Sequence, residues 1–155
     1  MIIHIFGPCN SGKTMLRTEL GRLHPEFESW CIDDFRRSIG DGTLDKEMDA
    51  QDAFVDKVVA TENGLSECSG AGRCALNALF RRTEDVFVVV LDTPADVCRS
   101  RITEGKYDGI PFPFDSSDSE VICGIRKDLD SDFFRDVICK GIPVLHLAGD
   151  EPMEE

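Results

Sequence analysis

The sequence predicts one α/β domain, a five-stranded and mostly parallel sheet with helices on both faces. Three observations lead there. Short apolar runs alternate with stretches of helical periodicity along the 155 residues, in the order β-α-β-α-β-α-β-α-β. The run Val86-Phe87-Val88-Val89-Val90-Leu91 is apolar throughout, as a parallel strand covered on both faces must be. A glycine-bearing segment, Gly7-Pro8-Cys9-Asn10-Ser11-Gly12-Lys13-Thr14, lies where the first apolar run gives way to the first amphipathic stretch.

The elements follow in order. Ile2-Ile3-His4-Ile5-Phe6 is a short buried strand, expected to be part of the fold and not a leader peptide. Leu16, Leu20 and Leu23 share one face of the helix after it. Pro25 breaks that helix, and Phe27–Ile32 reads as the second strand. A Gly/Asp loop at 40–42 leads to Thr43, an N-cap for a helix with Leu44, Met48, Gln51, Val55 and Val58 on its apolar face. Asn63-Gly64 is a turn, and Leu65–Cys68 a short third strand. A helix over 73–82 buries Leu76, Leu79 and Phe80, and Val86–Leu91 is the fourth strand. A helix over 95–102 precedes an irregular Gly/Pro/Ser-rich stretch at 103–118. A long helix near 119–139 uses Ile122, Ile125, Leu129 and Val137, Ile142–Leu147 closes the sheet, and an acidic tail occupies about 149–155. No linker or repeat divides the chain, so 1–155 is expected to be one domain.

The chemistry starts at Gly7–Thr14, which fits G-x-x-x-x-G-K-[ST]. Gly7, Pro8, Cys9, Asn10, Ser11 and Gly12 form a turn whose N–H groups can enclose an anion, with the positive end of the next helix aimed into it. Lys13 can reach β- and γ-phosphates, and Thr14 can place its hydroxyl on Mg²⁺. The expected ligand is therefore ATP with Mg²⁺, and the fold class a P-loop NTPase. Asp33 and Arg36 follow the second strand, at the carboxyl edge where open α/β sheets bind ligands. A carboxylate there can take the proton of an acceptor hydroxyl, and an arginine one turn on can hold an anionic group of the acceptor. The residues alone leave another reading open, in which Asp33 or Asp34 caps a short helix starting at Phe35 and the arginines are solvated. Glu67 ends the third strand, where a carboxylate can hold Mg²⁺ through its water shell. Arg99 and Arg101, with Lys106, lead into 103–118, and a basic helix end before such a loop suits a lid over the transferred phosphoryl group. Within that stretch, Phe112 and Phe114 either stack on a base or pack back onto the core.

Gly7–Thr14, Ile32-Asp33-Asp34-Phe35-Arg36, Leu65–Cys68 and Asp92-Thr93-Pro94 together resemble the kinase domain of bacteriophage polynucleotide kinases, over roughly residues 1–105. Zeta-toxin-like and small-metabolite P-loop kinases share much of the outline. The resemblance implies a nucleotide-kinase-like fold with a lid, Asp33 as base for a 5′-hydroxyl, Arg36 as ligand of the acceptor phosphate and Arg101 as a lid arginine. The second lid arginine of that family falls near Gly105, a departure that Lys106 fills only as a point charge. Ser66-Glu67 stands where the family has Ser-Asp. A cytoplasmic location follows, the host cytoplasm if the chain is phage-encoded.

Composition narrows the acceptor. A formal charge of −13 disfavours a general polyanion binder, so nucleic acid would have to be held by a local cationic cluster. Seven cysteines without C-x-x-C spacing and three dispersed histidines suggest neither a zinc site nor a disulfide framework. No apolar run is long enough to span a bilayer. Neither [NT]-K-x-D nor D-x-x-G occurs, which disfavours a GTPase, and Leu65–Gly70 resembles a transporter signature only superficially. Three functions remain: a kinase of a hydroxyl on nucleic acid or a nucleotide (a 5′-end, or a hydroxymethyl group of a modified base), a kinase of a free small molecule or mononucleotide, and a non-catalytic nucleotide-binding module.

Overall fold

The computed structural model describes residues 1–69, 73–102, 109–113 and 141–149. Five strands, β1 (Ile2–Phe6), β2 (Glu28–Cys31), β3 (Gly64–Cys68), β4 (Val86–Leu91) and β5 (Val144–Leu147), form one sheet in the order β2-β3-β1-β4-β5. Every pairing is parallel. The helices are α1 (Lys13–Leu23), α2 (Ile32–Ile39), α3 (Leu44–Ala60), α4 (Arg73–Arg82) and α5 (Ala95–Ser100). The helix expected over 119–139, most of the lid with Lys106 and Phe114, and the tail beyond Gly149 lie outside the described residues.

Strand order explains which helix covers which face. The connection after β1 runs one way across the sheet to β2, whereas those after β2, β3 and β4 run back the other way. Right-handed crossovers then place α1 on the face opposite α3 and α4. The core obeys this: Ile5, Val89 and Leu91 pack with Leu16 and Leu20 of α1 on one side. On the other, Ile2, Phe6, Val86, Val88 and Val90 pack with Phe54, Val55 and Val58 of α3 and Leu76, Leu79 and Phe80 of α4. Alternate residues of β1 and β4 serve opposite faces, the period-two rule of a strand. β1 and β3 are adjacent, yet their connections leave in opposite directions. That topological switch point opens a crevice at their carboxyl ends.

The sequence-based elements differ from the structure in register more than in kind. The second strand is only Glu28–Cys31, because α2 begins at once with Ile32. Leu23 is exposed at the end of α1, so that helix presents Leu16 and Leu20 alone to the core. Thr43 does cap α3, accepting from the Lys46 N–H at 3.3 Å. The buried stripe of α3 is Glu47, Ala50, Gln51, Phe54, Val55 and Val58, with Leu44 and Met48 exposed. A buried carboxylate, Glu47, turns the helix toward its partner, which hydrophobic periodicity cannot register. β5 starts at Val144 and not Ile142.

His4 lies at the centre of β1 with no exposed surface, Nδ1 paired with Ser66 Oγ at 2.8 Å and Nε2 with Cys68 Sγ at 3.2 Å. Burial lowers its pKa from 6.5 to about 3. The unfolded chain takes up a proton at His4 below pH 6.5 and the folded chain does not until about 3, so stability present above 6.5 drains away as pH falls through that window. We expect the folding constant to fall by up to about tenfold per pH unit from this one group. Urea unfolding at pH 7, 6 and 5 checks this: His4→Asn should flatten the profile, and an unchanged slope would refute the assignment.

Candidate functional site

The Gly7–Thr14 segment bridges β1 and α1 at the switch point. Gly12 caps α1 with φ 102°, a left-handed conformation that a side chain disfavours, and Asn10 adopts φ 62°. These reversals curl the loop so that Pro8 accepts from both the Ser11 N–H, at 3.2 Å, and Lys13 Nζ, at 2.6 Å. Ser11 Oγ is buried with no hydrogen-bond partner among the described residues. Thr14, in the first turn of α1, donates to Glu67 Oε1 at 2.9 Å.

Glu67 is buried at the end of β3, and its Oε2 has no hydrogen-bond partner among the described residues. A buried carboxylate oxygen left open beside a threonine hydroxyl fits a hydrated Mg²⁺, which could bind Thr14 directly and Glu67 through water. Arg17, one turn past Thr14, sits beside the same carboxylate, with Nε 3.5 Å from Oε1 and Nη1 donating to Ser29 Oγ at 2.5 Å. It ties α1 to the edge strand β2.

Asp33 and Asp34 occupy the first turn of α2, whose N-cap is Cys31 with no side-chain cap bond. Neither aspartate caps the helix, and the helix starts three residues before Phe35, so the capping alternative is not what the structure holds. Asp33 is about a quarter exposed and accepts from Arg36 Nη1 at 2.8 Å. Arg36 itself is almost wholly buried. Its Nη2 and Nε reach Glu47 Oε1 and Oε2 at 2.6 and 2.9 Å, a two-pronged pair with α3. Burial pulls the guanidinium pKa down, but Glu47 and then Asp33 more than offset this and hold it above its usual range. Glu47 Oε1 also accepts from Gln51 Nε2 at 2.6 Å, and Gln51 Oε1 from the Ala75 N–H of α4 at 3.0 Å. The Arg36 guanidinium carbon lies over the Phe112 ring, 5.1 Å from its centroid. Phe112 is half-buried and stands against Arg36.

A cleft of about 610 Å³ joins these parts. Its walls include Cys9, Asn10, Gly12, Lys13 and Thr14 from the loop, Asp33 and Arg36 from α2, Glu67, and Arg101, with Ile110 and Phe112 on one side. Arg101 follows α5 and donates through Nη1 to the Gly149 carbonyl at 2.9 Å. Arg99 is exposed on α5 and is not part of that wall. Arg17 and Arg37 line it too. The cleft thus holds five cationic side chains (Lys13, Arg17, Arg36, Arg37, Arg101) against three acids (Asp33, Asp34, Glu67), a local reversal in a chain of charge −13. That suits a polyanionic ligand. Burial, with Glu67 and Asp33 nearby, pushes the Cys31 thiol up to about 12, and burial does the same to Cys68, which disfavours their thiolate forms.

Sequence reading missed Glu47, Gln51 as a polar group, Arg17 and the carbonyl of Gly149. Glu47 carried one signal, the need of any buried arginine for a carboxylate, but nothing in the sequence marks Arg36 as buried.

No protein-family model matches this chain, and no curated protein matches it in sequence. Solved structures do match in fold. Shikimate kinase from Acinetobacter baumannii in complex with shikimate superposes with a TM-score of 0.67 at 18% identity, over 97% of this chain and 84% of that one. A gluconokinase from Sinorhizobium meliloti 1021 gives 0.65 at 16%, over 97% and 83%. Deoxyadenosine kinase from M. mycoides with bound dATP gives 0.61 at 13%, over 99% and 93%. At such identities the likeness establishes architecture: this chain has the fold of the small P-loop kinases. No helix among the described residues is long and apolar enough to cross a membrane.

The buried Arg36–Glu47 pair generates a prediction about stability. Glu47→Ala leaves a buried guanidinium with Asp33 but without its two-pronged carboxylate partner and should cost about 3–5 kcal/mol in urea unfolding. Replacing both partners, as Arg36→Met with Glu47→Leu, should cost clearly less than the sum of the single changes. An additive result would mean that the two side chains do not depend on each other.

Proposed function

We propose that this protein is an ATP-dependent kinase that moves the γ-phosphate onto the hydroxyl of a small acceptor, a metabolite, nucleoside or nucleotide. One observation carries the reading: a phosphate-binding loop and an aspartate held by a buried arginine line the same 610 Å³ cleft. The loop amides and Lys13 would bind the β- and γ-phosphates, with Thr14 and Glu67 holding Mg²⁺, which when bound offsets charge on those phosphates. Asp33 would accept the acceptor's proton as its oxygen forms a bond to the γ-phosphorus and the bond to the β-phosphate oxygen breaks, releasing ADP. Arg36 is spent on Glu47 and Asp33, so in this reading it orients the base and does not grip the acceptor. Arg101 would face charge on the transferred group.

A small acceptor fits better than a long polyanion. The arginine that the polynucleotide-kinase resemblance assigns to an acceptor phosphate is buried, the chain is strongly acidic, and the solved neighbours include kinases of small molecules. A nucleic-acid end or a hydroxymethylated base remains the second reading, favoured by the Asp33-Asp34-Phe35-Arg36 segment and by the cations gathered in the cleft. A non-catalytic module would need Asp33 only as a partner of Arg36, and its partly exposed place in the cleft supports a role toward an acceptor as well.

γ-labelled ATP offered with polyols, sugar acids, nucleosides, mononucleotides, 5′-hydroxyl oligonucleotides and hydroxymethylated duplex DNA identifies the acceptor. With it in hand, Asp33→Asn should lower kcat by about 10²–10⁴ while ATP affinity stays within about twofold. Full-rate transfer by that variant rules Asp33 out as the base. Acceptor binding should weaken only slightly with added salt, and a steep logarithmic slope would instead identify nucleic acid.

A further inference from the structure

The proposed transfer gives no task to Thr93 and Gly149, which meet behind the phosphate loop. Thr93 follows β4, is fully buried, and its hydroxyl donates to the Ser11 carbonyl at 3.0 Å. Gly149 follows β5. A Cβ there would stand 1.7 Å from Thr93 Oγ1 and 3.0 Å from the Ser11 carbonyl oxygen, so only glycine permits this approach. The Gly149 carbonyl in turn accepts from Arg101 at the cleft. The Asp92 N–H bonded to the Leu147 carbonyl at 2.8 Å keeps the ends of β4 and β5 level, which brings the two residues together.

The planarity of the peptide unit gives the Thr93 hydroxyl its meaning. In a trans peptide the C=O and the following N–H point in opposite directions. No cis bond occurs among the described residues, so drawing the Ser11 carbonyl back to Thr93 turns the Gly12 N–H the other way. Gly12 lines the cleft. Without the hydroxyl, a loop with left-handed residues at 10 and 12 can rotate that peptide and present an oxygen where a phosphate needs a donor. An amide fixed beforehand binds an anion without the cost of reorganisation.

We infer that Thr93 and Gly149 are positioning residues for nucleotide binding. Thr93 orients the Ser11–Gly12 peptide toward the phosphates, and Gly149, by carrying no side chain, lets the turn after β5 close on Thr93 and hold Arg101 at the cleft. The inference rests on the nucleotide-binding reading above.

Calorimetric titration of the full chain with ATP and Mg²⁺, alongside thermal unfolding, tests it. Thr93→Val keeps the shape and removes the donor, and should raise the ATP Kd about five- to tenfold. Thr93→Ser, which restores the hydroxyl, should bind within about twofold of wild type. Gly149→Ala should weaken ATP at least as much as Thr93→Val, and less so when introduced into Thr93→Ala, where the clashing hydroxyl is gone. Wild-type affinity in Thr93→Val, or equal losses in the Val and Ser variants, overturns the inference alone. A wild-type chain that binds no ATP overturns the kinase reading and this inference together.

Discussion

The Arg36 guanidinium is withdrawn from water and kept charged by two carboxylates from different helices, Asp33 of α2 and Glu47 of α3. An isolated cation in that position would be intolerable, so the surroundings must supply both acids in fixed geometry. Meeting that demand sets the roll of α3, buries Glu47 and Gln51 among apolar residues, and reaches the first turn of α4 through the Ala75 N–H. Asp33, which shares the cleft with the Gly7–Thr14 loop, inherits this rigidity. A side chain about a quarter exposed to solvent is thereby oriented by a network that solvent cannot reach.

The other half of the cleft is organised by the backbone. Parallel strands whose connections leave in opposite directions expose a crevice at the ends of β1 and β3, and each contributes one part. β1 delivers the turn that starts α1, and β3 delivers Glu67 against Thr14. Arg17 bridges the halves, touching Glu67 on one side and Ser29 of β2 on the other. The cations assembled here reverse the sign of an acidic chain locally, which makes the cleft the place in this chain suited to an anionic ligand.

The fold was largely legible because its signals are local. The apolar run of β4, the threonine cap of α3 and the strand–turn–helix context of Gly7–Thr14 each depend on a few neighbouring residues. Errors fell where local pattern does not decide: the face of α3 is rotated by the pairing of Glu47 with Arg36, and the helix that begins at Ile32 cuts β2 short at Cys31. The site shows the same division. Asp33, Lys13, Thr14, Glu67 and Arg101 were named from the sequence, and all line one cleft. Arg99 was also named, and the structure leaves it exposed outside that wall.

By itself, then, the sequence determined the alternation of elements, the phosphate loop and which acids stand at strand ends, since covalent neighbours and hydrophobic period specify these. Only the tertiary structure decided that Arg36 is enclosed, that Glu47 is its partner eleven residues away, and that Thr93 reaches Ser11 across 82 positions. Burial and long-range hydrogen bonding are properties of the packed chain. A guanidinium or hydroxyl has the same appearance in sequence whether it faces water or a carboxylate.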